Sequence, residues 1–241
     1  MNTPARTKGA PSLWEDLLEI FYAPSAVFER RRETPAFGLA LIVFMVLIVG
    51  LSFAFRGLME PVFDVEFKRG MAQAMKQNPS LTPEMAERGR GIAQKFLVVG
   101  VGLYALVGPV LMGIILWFVG KLMESKAELG QMVMVSTYAM FPRVLESILG
   151  AVQMLVLPEA TIRSRFSLSL GIGRFLDPDG SPLLLAVLGR VDLFTLWVTV
   201  LMGIGLAVMG RIPKGRAFVA AALMWVIGAI PGIWGAVRAG G

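Results

Sequence analysis

The fold is decided by residues 131–157, which read QMVMVSTYAMFPRVLESILGAVQMLVL. A helix of about 20 such residues crosses the hydrocarbon core of a bilayer. The central part of this run nevertheless contains Tyr138, Pro142, Arg143 and Glu146. A charged side chain at mid-bilayer costs about 2.5–3.5 kcal/mol on insertion scales, so Arg143 and Glu146 should be paired or face protein or water. The rest of the chain must therefore supply partners for this helix.

The composition of the whole chain is that of a membrane protein. Its 241 residues are 56% hydrophobic and 17% charged, and the mean hydropathy is +0.69. We therefore predict an all-α, polytopic membrane protein with the lipid bilayer as its main partner. The net charge is +6. We attribute it to Lys and Arg retained on the cytoplasmic flanks of the spans, and not to a nucleic-acid-binding function.

The residue types argue against an enzyme. The chain contains no cysteine and no histidine. This removes the usual ligands of zinc, copper, haem and iron–sulfur clusters, and the usual general base of serine hydrolases. We therefore expect no catalytic residue, no metal and no cofactor.

Apolar runs divide the chain into a tail, a cytoplasmic part and a membrane domain. Residues 1–11 are predicted to be a disordered tail, residues 12–34 amphipathic cytoplasmic helices, and residues 35–241 a five-helix membrane domain. The five predicted transmembrane helices are residues 36–55, 96–119, 129–157, 183–209 and 217–237.

Two segments outside these spans carry periodic patterns. In the N-terminal segment, Ser12 and Glu15 predict a capping box, followed by a helix with Trp14, Leu17, Leu18 and Phe21 on one face and Glu15, Asp16 and Glu19 largely opposite. That helix either packs on the membrane domain, which we favour, or is an interfacial anchor that binds a partner.

The connection at residues 56–95 is too long to lack structure, so we expect helices in it. Its stripe of Phe63, Phe67, Met71 and Met75 either faces a core, as we favour, or forms a ligand groove.

Residues 158–182 contain several charges around an apolar, glycine-bearing run, and either dip into the interface or cover one end of the bundle. The run Asp177-Pro178-Asp179-Gly180 is typical of a turn. Its two carboxylates could alternatively hold a cation, although the later ligands of a calcium-binding loop are missing.

Basic residues set the expected orientation. The segments on the two sides of the membrane contain nearly equal numbers of Lys and Arg. The arginines at residues 30–32 and the basic turn at residues 211–216 lie next to spans, where basic residues have the strongest influence on orientation. They favour a cytoplasmic N-terminus. Because five spans place the termini on opposite sides, the C-terminus is expected outside.

Four charged residues form a candidate intramembrane cluster. Arg143 and Glu146 are three residues apart, so they share a helix face and could pair with each other. Arg190 and Asp192 are two apart and point away from each other. The pattern therefore predicts cross-helix pairs, Arg143 with Asp192 or Arg190 with Glu146. The cluster is either a structural clamp between the third and fourth spans, which we favour, or a proton or ion pathway.

Three short motifs, in this order on five spans, resemble a known family. They are residues 22–30 (YAPSAVFER), the Tyr-x-x-x-Pro pattern from Tyr138 to Pro142, and residues 192–197 (DLFTLW) followed by residues 203–206 (GIGL). Together they resemble prokaryotic members of the Ypt-interacting-protein (Yip) family. The resemblance implies a five-helix membrane domain with a cytoplasmic N-terminus. The corresponding membrane-edge motif consists of Tyr22, Pro24, Phe28, Arg30, Arg31 and Arg32.

The resemblance also implies a function. Eukaryotic relatives act as adaptors for Rab-type GTPases in vesicle traffic and membrane shaping. Only Tyr22-Ala23-Pro24 is remotely similar to their Asp-Leu-Tyr-Gly-Pro-type motif, so Rab binding is not carried over. We expect a non-enzymatic, membrane-organising or trafficking-type adaptor or scaffold in a bacterial or archaeal cytoplasmic membrane. The alternative is a small transporter, channel or lipid-translocating protein that uses the charged cluster. Protein partners that bind the N-terminal helices, and assembly into a homo-oligomer, are both possible.

Overall fold

The structure, a computed structural model, describes residues 12–240, so the predicted tail at residues 1–11 lies outside the described residues. Within that range the chain is all α-helical apart from turns and three short 3₁₀ helices, and no β-strand is formed. The all-α prediction is confirmed. The α-helices are α1 Leu13–Glu19, α2 Pro24–Arg30, α3 Gly38–Ala54, α4 Glu60–Gln77, α5 Pro83–Leu122, α6 Leu129–Ala139, α7 Pro142–Val156, α8 Pro182–Leu188, α9 Leu193–Gly210, α10 Lys214–Ile227 and α11 Ile230–Gly240.

Four helical segments are long and apolar enough to cross a membrane: Glu87–Leu122, Leu129–Val156, Leu193–Gly210 and Lys214–Arg238. Helix α3 is apolar but has only 17 residues. It packs against α5 and α7 inside the bundle. A spanning role for α3, and with it the count of five, stays a prediction.

The third span is broken at its centre. Helix α6 ends at Ala139 and α7 starts at Pro142. Proline lacks the N–H that would bond one turn back, and its ring collides with the carbonyl there. Met140 and Phe141 therefore form the joint between the two helices. The break lies directly beside Arg143, so it fixes where that side chain leaves the helix.

The stretch predicted as one span at residues 183–209 is also divided. Helix α8 ends at Leu188, and a new helix, α9, begins after Asp192. Helix α8 packs against α11 instead of extending α9. The physical reason is the side chain of Asp192, whose Oδ1 accepts hydrogen bonds from the N–H groups of Phe194 and Thr195 at 3.0 Å each. Such an N-cap starts a helix.

The other spans differ from the predictions mainly in length. Helix α5 runs unbroken for 40 residues, through Pro109, and so joins the predicted loop helix to the second span. Its start is capped by Thr82, whose Oγ1 accepts from Met85 N at 3.3 Å. The last span bends at residues 228–229, two positions before Pro231.

Helix α6 lies at the centre of the bundle, where it packs against α3, α5 and α9. Residues Met132 to Ala139 of α6 are all buried. Gly113 of α5 permits the closest approach, since a Cβ there would lie 2.5 Å from Val133 Cα. Ser136 Oγ also donates to Pro109 O of α5 at 2.6 Å. Small residues bring membrane helices together in this way.

Candidate functional site

Arg143 connects α7 to α9. Its Nη1 donates to Glu146 Oε2 at 2.6 Å, and its Nη2 donates to Thr195 Oγ1 at 2.9 Å. The structure thus joins the third and fourth spans, but through a hydroxyl group rather than a carboxylate. Thr195 is not among the predicted site residues. The only signal for it in the sequence is its place in the first turn of a helix that Asp192 caps.

The predicted cross-helix ion pairs are not formed among the described residues. Asp192 does not bind Arg143, because its carboxylate caps α9 and is only 7% exposed. Two backbone N–H groups and the positive end of the helix dipole already stabilise that charge. Glu146 is bonded to Arg143 on its own helix and does not pair with Arg190. The spacing in the sequence allows either a pair within one helix or pairs between helices. The structure forms the pair within one helix, between Arg143 and Glu146.

Arg190 binds helix α10 instead of an acid. Its Nη2 donates to Trp225 O at 3.1 Å, and its guanidinium carbon lies 5.6 Å from the centre of the Trp225 ring. Trp225 Nε1 returns a hydrogen bond to Arg190 O at 3.3 Å. The guanidinium passes close to Gly228, where a Cβ would lie 2.6 Å from Arg190 Nη2. Arg190 therefore fastens the α8–α9 joint to α10, with a cation–π contribution from the indole.

Tyr138 and Pro142 belong to the helix break and not to the charged cluster. Tyr138 is fully buried beside Phe141, with ring centres 6.3 Å apart. Its Oη is buried and makes no hydrogen bond in the structure. Pro142 is the first residue of α7 and is also buried.

A second charged cluster, which the sequence pattern does not predict, is centred on Asp16. Asp16 has no exposed surface. Its Oδ2 accepts from Arg31 Nε at 2.6 Å, and its Oδ1 accepts from Arg30 Nε at 3.1 Å and also from Arg30 Nη2. Arg30 Nη2 also donates to Glu19 Oε2 at 2.6 Å. We call Asp16, Glu19, Arg30 and Arg31 the hairpin cluster, because it joins α1 to α2.

The charge state of Arg30 follows from these contacts. Burial alone would lower the pKa of Arg30, but its hydrogen bonds with Glu19 and Asp16 and their negative charges raise it above the ordinary value. Arg30 therefore stays a cation. The predicted arrangement, with Asp16 on an outward polar face of α1, is wrong. Helical periodicity identifies two faces but does not say which one the tertiary structure covers.

The membrane-edge motif divides into a buried and an exposed part. Phe28 is fully buried against α9, where a Cβ on Gly205 would lie 3.1 Å from Phe28 Cε2. Pro24 is the first residue of α2. The carbonyl of Arg32 accepts from Gln131 Nε2 at 2.8 Å. Tyr22, at the turn between α1 and α2, is 74% exposed. The motif thus docks the hairpin on the bundle and leaves one aromatic ring outside.

Two cavities occur outside the intramembrane cluster. One, of about 470 Å³, lies between α4 and the start of α5 and is lined by Phe67, Met71 and Met75. The stripe in the first loop therefore borders an open groove, and no residue of α4 is buried. The other, of about 430 Å³, lies within residues 157–178.

The two carboxylates of the 177–180 turn are engaged by arginines. Asp177 Oδ1 accepts from Arg163 Nη2 at 2.9 Å, and Asp179 Oδ1 accepts from Arg69 Nε at 3.1 Å. Arg69 also donates from Nη2 to Arg163 O at 2.8 Å. These bonds attach the segment after α7 to α4, which gives both carboxylates a structural role.

Long apolar helices, whose few intramembrane charges are each bonded to protein groups, define an integral membrane protein of the all-α, polytopic class. The family model of the Yip1 domain matches residues 18–235, from the last turn of α1 into α11. The chain therefore belongs to the Yip1-domain family, which confirms the family that its three motifs resemble, while a prokaryotic origin and a count of five spans stay predictions. No curated protein and no solved structure gave a significant match.

Proposed function

We propose that this protein is a non-enzymatic membrane protein that organises a membrane or its protein partners, as an adaptor or scaffold. The observation that carries the proposal is how its intramembrane charges are used. Arg143 joins α7 to α9, Asp192 caps α9, and Arg190 is bonded to α10. Side chains committed to such bonds favour a rigid frame over moving parts.

The proposed contact surface is the basic end of the bundle. The turn after α5 and the turn after α9 meet there, because Lys126 N donates to Gly210 O at 3.0 Å. Arg216 forms an ion pair with Glu124 across the same turns. Arg211 and Lys214 are exposed beside them. Such a surface suits anionic headgroups or an acidic partner. We propose that it faces the cytoplasm of a bacterial or archaeal cell, with the N-terminus on the same side.

The test is cross-linking in native membranes, followed by purification and analysis of bound proteins and lipids. The variant is Arg211→Glu combined with Lys214→Glu. The matched control is Lys76→Glu combined with Arg88→Glu, two exposed cations in α4 and the start of α5. We expect the first variant alone to lose partners that the wild-type protein recovers. If both variants recover the wild-type set, or if both lose it, this surface is not the docking site.

A small transporter, channel or lipid-translocating protein is the second candidate. One observation favours it: the side chains of Arg143 and Glu146 are 27% and 38% exposed, so their pair is not sealed. A pathway would require water to reach this pair from one membrane face. The two cavities described above do not include either residue. The flux measurement at the end of the Discussion separates the two candidates.

A further inference from the structure

The α1–α2 hairpin lies alongside a membrane-spanning helix instead of across its end. Phe28 packs at Gly205 of α9, and the ring of Phe21 lies 5.6 Å from the ring of Trp197 of the same helix. Gly205 and Trp197 are eight residues apart, which is about 12 Å along a helix. The turn of the hairpin therefore lies about two helical turns farther along α9 than its base does.

The base of the hairpin is fixed at the basic end of the bundle. Gln131, in the first turn of α6, donates from Nε2 to the carbonyl of Arg32, just after α2. The hairpin thus starts at that end, reaches inward along α9, and returns. Because α9 crosses the membrane, the turn lies at a depth where hydrocarbon surrounds the bundle.

The hairpin has its charges on the inside. Asp16 is fully buried, and the hairpin cluster joins it to Arg30 and Arg31 while Arg30 also binds Glu19. Two acids and two bases neutralise one another within the cluster. The exposed acids Glu15 and Glu29 lie in the first turn of α1 and the last turn of α2, so both are at the base.

The outward face of the hairpin is apolar. Trp14, Leu18 and Tyr22 are 64%, 66% and 74% exposed. Trp14 and Leu18 are four residues apart and lie in one row on α1, and Tyr22 follows in the turn after that helix. An element in water turns charges outward and apolar side chains inward, and here the arrangement is reversed. A segment in hydrocarbon requires the reversed arrangement, because charges there must be paired on the protein side.

We propose that α1–α2 is a re-entrant hairpin that enters the bilayer from the basic end of the bundle, and that lipid acyl chains cover Leu18 and Tyr22. Trp14, near the base, lies at the level of the headgroups, where aromatic rings are favoured. Leu196 and Val200 of α9 are exposed as well, so apolar surface occurs on both the hairpin and the helix beside it. This inference is independent of the proposed function.

The absence of native cysteine makes a direct test available. Leu18→Cys and Tyr22→Cys are labelled with a nitroxide in liposomes at low protein density, and their collision rates with oxygen and with a water-soluble nickel chelate are measured. Val200→Cys, at a 44% exposed position within α9, is the lipid reference. Lys214→Cys is the water reference. Ser25→Cys, exposed next to the turn, is a second probe that leaves the aromatic ring in place.

We expect the labels at Leu18, Tyr22 and Ser25 to resemble the label at Val200, with frequent oxygen and rare nickel collisions, and Tyr22 to be deeper than Leu18. Their thiols should also react with a charged maleimide about tenfold more slowly than Lys214→Cys, because the reacting thiolate is disfavoured in hydrocarbon. Collision rates like those of Lys214→Cys would overturn the proposal. Spin–spin broadening at Tyr22 would also overturn it, because it would show that a second copy covers this face.

Discussion

Asp16 has no exposed surface, and its Oδ2 accepts a hydrogen bond from Arg31 Nε at 2.6 Å. The pair connects the first turns of α1 to the residue that follows α2. Removing one partner of a buried pair leaves an uncompensated charge, which is far more costly than never having the pair. The hairpin should therefore depend on this one carboxylate.

Asp16→Asn is expected to destabilise the protein. Asparagine keeps the shape but leaves Arg30 and Arg31 without the shared anion, for an expected loss of about 3 kcal/mol. Thermal unfolding in detergent measures the change. Glu29→Gln, which also removes a carboxylate but from an exposed position of α2, is the control and should change stability by less than about 0.5 kcal/mol. Equal melting of both variants would show that the hairpin cluster contributes nothing.

Phe28→Ala should detach the hairpin. The ring is fully buried against α9, and a buried Phe→Ala substitution costs about 3–5 kcal/mol. We expect faster proteolysis of the link between α2 and α3 at a temperature where the bundle stays folded. Tyr22→Ala, at an exposed position of the same hairpin, should leave the cleavage rate as in the wild type. An unchanged rate for Phe28→Ala would mean that this contact does not hold the hairpin.

Gly113→Ala should separate α5 from α6. The new Cβ would lie 2.5 Å from Val133 Cα, and backbone atoms cannot move aside as a flexible side chain can. The expected cost is about 1–3 kcal/mol. Gly100→Ala, in the same helix with no heavy atom within 4 Å of the added Cβ, should be neutral or stabilising by up to about 1 kcal/mol. Melting temperatures in detergent decide this, and a Gly113→Ala protein as stable as Gly100→Ala would contradict the close approach.

Arg143→Leu should reduce the folded yield. It leaves Glu146 without its cation and Thr195 without its donor, and losing a hydrogen bond to a charged group costs about 1.5–3 kcal/mol. Arg143→Lys should restore part of the loss, because an ammonium group can reach one acceptor but lacks the two-pronged geometry of guanidinium. Size-exclusion recovery and melting measure both variants. Wild-type recovery of Arg143→Leu would show that the α7–α9 connection is dispensable.

Local signals in the sequence predict the local structure correctly. Ser12 and Glu15 form the expected capping box, with Ser12 N donating to Glu15 Oε2 at 2.8 Å and Glu15 N donating to Ser12 Oγ at 3.3 Å. Apolar length likewise identifies helices long enough to cross a membrane, but it does not show where they break, since the stretch at residues 183–209 is divided before α9. The capping box depends on residues within one turn of each other, so the sequence alone is sufficient for it.

The partners of charges are not predictable in the same way. The position of Asp192 in an apolar run predicts an intramembrane charge that needs a cation, but Asp192 caps its own helix. Helical periodicity places Asp16 outward, yet the fold buries it against two arginines that lie 14 and 15 residues later. Several partners are available at comparable spacing, and tertiary packing chooses among them. The contact of Thr195 is equally unpredictable, because nothing in the sequence indicates that its neutral hydroxyl accepts a hydrogen bond from Arg143.

The measurement that tests the central claim most directly is ion and proton flux through proteoliposomes, followed with an internal pH-sensitive dye and an applied potential. If Arg143 and Glu146 are part of a structural frame, wild-type vesicles should leak no faster than empty ones, and Glu146→Gln should change nothing. Robust flux in the wild type that Glu146→Gln abolishes would contradict the account and establish the cluster as a pathway.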